Sequence, residues 1–347
     1  MPRHLQNASP DPLADPFHEL PGTMGQRRLS LLGARVLFES ARPELLRLVD
    51  HAYRGLPGHR ARSAGPALRI QLRLTQRQLA RARRRPPPPP LKTLSGPGGL
   101  LCGVMDESNF VLLSPNARAG LIAVSRDMLA RRYHARYELI EFALFTLAAR
   151  ALGLVPLHAA CIGRAGRGLL LIGDSGAGKS TLALHSALQG TDFLSEDAVF
   201  VDPKTLLASG ISNFVHIRED SLHLIGSDAT AARISRSPVI HRRSGAAKFE
   251  VDMRRLGCRL ARTPLRLAGI VFLSTRSAGS VATLRPLSPQ RTLARLSSAQ
   301  AYAAGRPEWK AFRRQLAGID GYELQRGRHP SESAIALRHL LERLRSG

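Results

Sequence analysis

Gly173-Asp174-Ser175-Gly176-Ala177-Gly178-Lys179-Ser180-Thr181 decides how this chain is read. The nine residues fit the phosphate-cradling pattern G-x-x-x-x-G-K-[ST]. Glycines let a backbone wrap tightly around an anion with its N–H groups turned inward. Lys179 supplies a compact charge for the outer phosphates, and Ser180 offers a hydroxyl to magnesium. The flanks suit this role. Gly168-Leu169-Leu170-Leu171-Ile172 reads as a buried parallel strand. Lys179 to Gln189 has helical spacing, with Leu182, Leu184 and Leu188 apolar and Gly190 as its stop. The loop therefore lies between a strand and a helix, with the helix dipole aimed at the phosphates.

Composition bounds the rest. With 347 residues, 44% hydrophobic and 22% charged, the chain has material for about two domains of a soluble globular protein. The formal charge of +25 points to nucleic acid, a membrane surface or an acidic substrate. The 46 arginines are spread along the whole chain, however, and aromatics reach only 5%. A basic solvated surface accounts for this better than a nucleic-acid platform does. Only five lysines occur, so Lys179 and Lys248 stand out against an arginine background. Cys102, Cys161 and Cys258 have no paired spacing, which excludes a disulfide framework or zinc site and suggests a reducing, cytoplasmic setting. The N-terminus lacks a signal pattern. Ile140 to Leu157, the most apolar stretch, contains Glu141, Arg150, Gly153 and Pro156 and reads as a buried helix and strand, not a membrane span.

Along the chain, residues 1–26 read as an irregular arm and residues 27–150 as an α+β region in which no chemistry is legible. Strands are expected at Arg27 to Ser40, Leu68 to Leu74, Gly99 to Val104, Phe110 to Ser114 and Leu121 to Val124. A helix is expected at Pro43 to Tyr53 and one or two helices at Asp127 to Leu152. Arg81, Arg83, Arg84 and Arg85 precede the run Pro86 to Pro90, which reads as a stiff surface loop. Residues 151–347 begin with a strand at Val155 to Gly163, a turn at Arg164 to Arg167, and the P-loop strand. Ala198 to Val201, Phe214 to Ile217 and Leu265 to Leu273 are further strands. Pro286 to Ala304 and Ser331 to Arg345 read as amphipathic helices, and His241 to Lys248 as a mobile loop carrying Arg242, Arg243 and Lys248.

Glu196-Asp197 follows the P-loop helix and precedes an apolar strand. A nucleotide enzyme needs one carboxylate for magnesium and a second group to orient or deprotonate its acceptor. Adjacent acids at a strand edge can do both, because their side chains diverge. The spacing excludes transport-type ATPases, whose second acidic motif lies much further along. The guanine-reading Asn-Lys-x-Asp pattern of switch GTPases is absent, and helicase-like organisation is not apparent.

The run His158-Ala159-Ala160-Cys161, the segment Gly168 to Ser180, Leu182-Ala183-Leu184 and Glu196-Asp197 together resemble the catalytic domain of HPr kinase/phosphorylase, and more closely the wider set of HPr-kinase-like serine kinases. Strong resemblance covers residues 154 to 203. It implies an α/β P-loop kinase domain of the HPr kinase/phosphoenolpyruvate carboxykinase type, here preceded by the α+β region. It implies ATP and magnesium, with a serine hydroxyl of a protein or peptide as acceptor. Carried over, Gly173, Asp174, Ser175, Gly176, Ala177, Gly178, Lys179, Ser180 and Thr181 bind the nucleotide. Ser180 and Asp197 hold the metal, Glu196 is the base, and His158 handles protons beside the acceptor. Lys248 is the candidate for a cation that reaches the transferring group late. Two departures stand out: Glu196 replaces the first of two aspartates, and Thr181 replaces the Glu that HPr kinase proper carries. HPr itself is therefore not the expected substrate. The rival readings are a non-catalytic ATP-binding regulatory module and a nucleic-acid-stimulated ATPase. Self-association into a homo-oligomer stays open.

Overall fold

The computed structural model describes residues 24–59, 67–75, 88–211, 213–243, 245–277, 279 and 281–344. Most of the N-terminal arm, the arginines at 81–85 and the first two prolines of the proline run lie outside these residues. Gly25 and Gln26 do not belong to an irregular arm, because the first strand begins at Gly25.

The first part of the chain makes a seven-stranded sheet: β1 (Gly25–Leu31), β2 (Ala34–Ser40), β3 (Ala67–Thr75), β4 (Lys92–Ser95), β5 (Leu101–Asp106), β6 (Asn109–Ser114) and β7 (Ala119–Ser125). The spatial order is β1-β2-β3-β7-β6-β5-β4, with the β2-β3-β7 core parallel and the flanks antiparallel. Alternation explains β3: Leu68, Ile70 and Leu72 are buried while Arg69 and Arg73 face outward. The helix Pro43–Tyr53 turns Leu45, Leu46, Val49 and Tyr53 into this core. After β7 the chain makes two short turns of helix, then a π-helical segment Ala135–Glu141 that runs into the helix Phe142–Ala151. The expected helical stretch thus carries a wide turn in its middle. Such a bulge rotates the residues on it, and it is a frequent device at functional sites.

From residue 155 a second sheet begins, with β8 (Val155–His158), β9 (Ala160–Arg164), β10 (Arg167–Ile172), β11 (Asp192–Ser195), β12 (Ala198–Val201) and β13 (Leu207–Ser209). A three-stranded antiparallel sheet follows, β14 (Phe214–Ile217), β15 (Val239–His241) and β16 (Ala247–Asp252), in the order β14-β16-β15. In the stretch His241 to Lys248, His241 ends β15 and Ala247 and Lys248 begin β16, so Lys248 sits on a strand and not on a free loop. The chain then returns to the second sheet with β17 (Leu265–Ser277), β18 (Thr283–Leu287) and β19 (Asp320–Arg326). Pro286 and Leu287 end β18, so the next helix starts at Pro289, one residue past the capping hydroxyl of Ser288. The helix Pro330–Arg343 closes the fold against the P-loop helix Lys179–Leu188.

Val155 to Gly163 is two strands rather than one, and the reason positions the site. The sheet order is β11-β9-β10-β17-β13-β12-β8, with β18 and β19 attached beside β17. Yet only Ala159 separates β8 from β9, and only Glu196-Asp197 separates β11 from β12. The sheet must curl until its two ends meet at these breaks. Leu157, Cys161, Leu170, Ile172, Val199, Val201, Ile270 and Phe272 fill the space enclosed. The P-loop strand β10 lies antiparallel to β9 and parallel to β17, so it is a parallel strand on one side only. No helix among the described residues is long and apolar enough to cross a membrane.

Candidate functional site

The P-loop leaves β10 at Gly173 and enters its helix at Lys179. Gly176 and Gly178 have φ of +85° and +91°, a region that side-chain-bearing residues avoid, so glycine is required at both. Lys179 is buried, and its ammonium donates to the carbonyls of Gly173 at 2.6 Å and Asp174 at 3.2 Å. Burial pulls its pKa down, opposed by Asp197, Asp174 and Glu196. The loop thus has a cation already seated at its mouth.

Glu196 and Asp197 lie where the sheet breaks, released from the strand ladder and turned into one cleft of about 600 Å³. Its lining unites Asp174, Ser175, Gly176, Gly178, Lys179, Ser180 and Thr181 of the P-loop with His158, Glu196, Asp197 and Lys248, whereas Ala177 packs into the core and Gly173 does not line the cleft. All four candidates for proton and charge handling therefore converge on the cradle. Lys248 enters from β16; burial and the neighbouring Arg242 lower its pKa.

The two acids have different surroundings. Asp197 accepts hydrogen bonds from both sides: His158 Nδ1 lies 2.8 Å from Oδ1, and the Tyr137 hydroxyl donates to Oδ2 at 2.8 Å. Burial pushes its pKa up. The hydrogen bond and charge of His158, with Arg242 and Tyr137, outweigh that and hold the carboxyl well below the usual carboxylate range. Gln300 fixes the backbone of His158 by accepting from its N–H at 2.8 Å and donating to its carbonyl at 3.0 Å. Glu196 is only 3% exposed and is bound through Oε1 to the His216 ring and, at 3.1 Å, to the His216 N–H. Burial raises its pKa, but the His216 charge and hydrogen bond pull it below normal, with a further contribution from the Ser180 hydroxyl. Ser180 faces Glu196, yet no hydrogen bond of ordinary geometry reaches the buried Oε2.

A chain of charges runs behind Glu196. His216 on β14 faces Glu250 on β16 in direct register, with Nε2 3.5 Å from Glu250 Oε1. Burial disfavours protonation of His216, but Glu196 and Glu250 raise its pKa overall. Arg136, 2% exposed, joins Glu250 to Glu141 (Nη1–Oε1 3.0 Å) and lies over the Phe214 ring at 4.6 Å. Arg242, on the turn between β15 and β16, donates to the Tyr137 hydroxyl at 2.9 Å and stacks on that ring at 4.8 Å. Arg243 beside it grips the carbonyls of Pro88 and Pro89 and pairs with Glu138.

Tyr137, Arg136, His216, Glu250 and Gln300 were not among the residues expected in the site. Tyr137 belongs to residues 27–150, where the sequence shows no legible chemistry, and it reaches Asp197 from the π-helical segment. Signals for some of them were present: His216 interrupts the apolar run Phe214-Val215-His216-Ile217, and Glu250 sits between Phe249 and Val251.

The residues fit a nucleotide and magnesium. Two obligatory glycines shape the cradle, Ser180 and Glu196 line the same cleft, and Glu196 Oε2 is buried without a hydrogen-bond partner. Magnesium is commonly held by one or two protein groups together with substrate phosphates.

No family model matches this chain, and no curated protein matches it. Among solved structures, the Hpr(Ser) kinase/phosphatase from Coxiella burnetii aligns with 55% of this chain and 97% of its own, at 11% identity and a TM-score of 0.27.

Proposed function

We propose that this chain is an ATP- and magnesium-dependent kinase that transfers the γ-phosphoryl group to a hydroxyl, with a serine of a protein or peptide as acceptor. One observation carries the reading: the anion cradle and the Glu196-Asp197 pair open into the same cleft, with Lys179, Lys248 and Arg242 around it. In the reaction the bond between the γ-phosphorus and the β–γ bridging oxygen breaks as one to the acceptor oxygen forms. ADP leaves, and the acceptor proton passes to the protein. Magnesium, when bound, would be held by Ser180 and a carboxylate and would offset phosphate charge.

The surroundings of the two acids favour roles opposite to those the resemblance implies. Glu196 lies beside Ser180 and is braced by His216, which suits the metal side. Asp197 is paired with His158, which suits alignment of the acceptor hydroxyl and uptake of its proton. A depressed pKa is no obstacle there, because the loose transition state of phosphoryl transfer rewards positioning over base strength. Lys179 and Lys248 place charge where it develops on the transferred group.

Transfer of labelled γ-phosphate into an extract of the source cell tests the reading, with Lys179→Ala and Asp197→Asn as comparisons. Labelling that vanishes in both variants, while Asp197→Asn still binds a fluorescent ATP analogue, is the expected result. Nucleotide binding with no labelling by the wild-type chain would leave a sensor, not a kinase.

A further inference from the structure

The cleft is not the only cavity that reaches Asp197. A second one, of about 480 Å³, adjoins it at Tyr137, His158 and Asp197, which line both. Neither Glu196 nor any P-loop residue lines the second cavity. Its volume falls within the range of small-ligand pockets, about 300–1,000 Å³. The walls are chiefly apolar: Phe142, Phe145, Phe200 and Tyr302 face it, drawn from both halves of the chain. One cation breaks the pattern. Arg150, on the helix Phe142–Ala151, lines the cavity, and its Nε is buried without a hydrogen-bond partner. No ion pair of Arg150 occurs among the described residues. Nε itself has no exposed surface, so a molecule in the cavity would meet the terminal nitrogens of the guanidinium, whose planar donor set a carboxylate matches best.

We infer that this cavity is the acceptor chamber, and that the acceptor is an apolar-bodied hydroxyl compound bearing a carboxylate. Its hydroxyl meets Asp197 and its carboxylate meets Arg150. This inference rests on the kinase reading and names its substrate class. The phosphates and the acceptor then occupy adjoining compartments that share one carboxylate, and the acceptor oxygen comes from a chamber to which the P-loop contributes no residue. The carboxylate belongs either to a peptide C-terminus or to a free hydroxy acid; both present the same chemistry to the chamber.

The test uses four acceptors with labelled ATP: acetyl-Leu-Ser-Phe with a free carboxyl terminus, the same peptide as its amide, acetyl-Gly-Ser-Gly with a free carboxyl terminus, and 3-phenyl-2-hydroxypropanoate. The expected result is a kcat/KM at least about tenfold higher for the apolar free acid than for its amide or the glycine peptide, as loss of a charge-assisted contact or of apolar burial predicts. Arg150→Met should erase the acid-over-amide preference through KM, with kcat and binding of a fluorescent ATP analogue retained. Phe145→Ala should erase the preference for the apolar peptide. Preference for the hydroxy acid over every peptide assigns the free-acid source, and the reverse assigns the chain terminus. Equal use of acid and amide overturns the inference and leaves the kinase reading intact, as does labelling of extract proteins with none of the four probes used. No labelling of probes or extract removes both.

Discussion

Replacing Tyr137 with phenylalanine removes one oxygen atom and isolates what the N-terminal half of the chain does for the site. That oxygen donates to Asp197 Oδ2 at 2.8 Å and accepts from Arg242 at 2.9 Å. The ring itself should stay in place, because it stacks on Tyr133 at 5.3 Å and carries Arg242 over its face. Burial and the charge of Asp197 raise the Tyr137 pKa, so the hydroxyl is a neutral donor throughout the working range. A hydrogen bond to a charged group is worth about 1.5–3 kcal/mol, and each 1.4 kcal/mol is about tenfold in rate. Asp197 keeps its bond from His158, so the loss falls on alignment rather than on the charge itself. Tyr137→Phe should therefore lower the single-turnover transfer rate by about ten- to a hundredfold. ATP affinity, read by titration of a fluorescent analogue, should stay within about threefold. A transfer rate within twofold of wild type would refute the claim that Tyr137 holds Asp197. An equal loss of ATP affinity would place Tyr137 on the nucleotide wall instead.

Arg136→Met should cost about 3–5 kcal/mol in a urea titration, because it strands Glu141 and Glu250 as buried carboxylates; adding Glu250→Gln should recover part of that loss, and an unchanged midpoint in the single variant would contradict the network. His185 is only 4% exposed, and burial lowers its pKa to about 4, with His329 adding to the effect. The unfolded chain binds its proton near pH 6.5, so in between it holds more protons than the folded one. Stability should fall by up to about 3 kcal/mol as pH drops from about 6.5 to about 4, and His185→Leu should flatten that slope in thermal melts. Ala165 and Gly166 form a two-residue turn between β9 and β10 with φ of +49° and +78°. Ala165→Asn should raise stability by about 0.5–1 kcal/mol in a urea titration with transfer unaltered, since asparagine tolerates that conformation better than alanine; a destabilised variant would show that the turn is not strained.

The parts of the site written in local sequence were legible there. The loop from Gly173 to Thr181 needs particular residues at fixed offsets, and the acids follow one helix later, so spacing alone exposes both. His158 and Lys248 could be picked out by resemblance and by rarity. Strand endings were harder. Nothing around Ala159 signals a break, because the break exists only to let a sheet close on itself. Tyr137, His216 and Glu250 reach the site by long-range packing. Tyr137 depends on a π-helical turn, and His216 and Glu250 depend on which strand of a small sheet lies beside which. Arginine abundance also hid Arg136, since one more guanidinium in a chain with 46 carries no signal, whereas Arg242 was visible only as one cation of the stretch that also holds Lys248.

Asp197 is held from one side by a histidine on the curled sheet and from the other by a tyrosine that follows the seven-stranded one. The anion cradle draws on the curled sheet alone, whereas the far wall is shared with its neighbour. Substitution can therefore vary the neighbour's aromatic surface while leaving the anion cradle untouched. On the kinase reading proposed above, selectivity for the acceptor could then change without any change in how the phosphate donor is held.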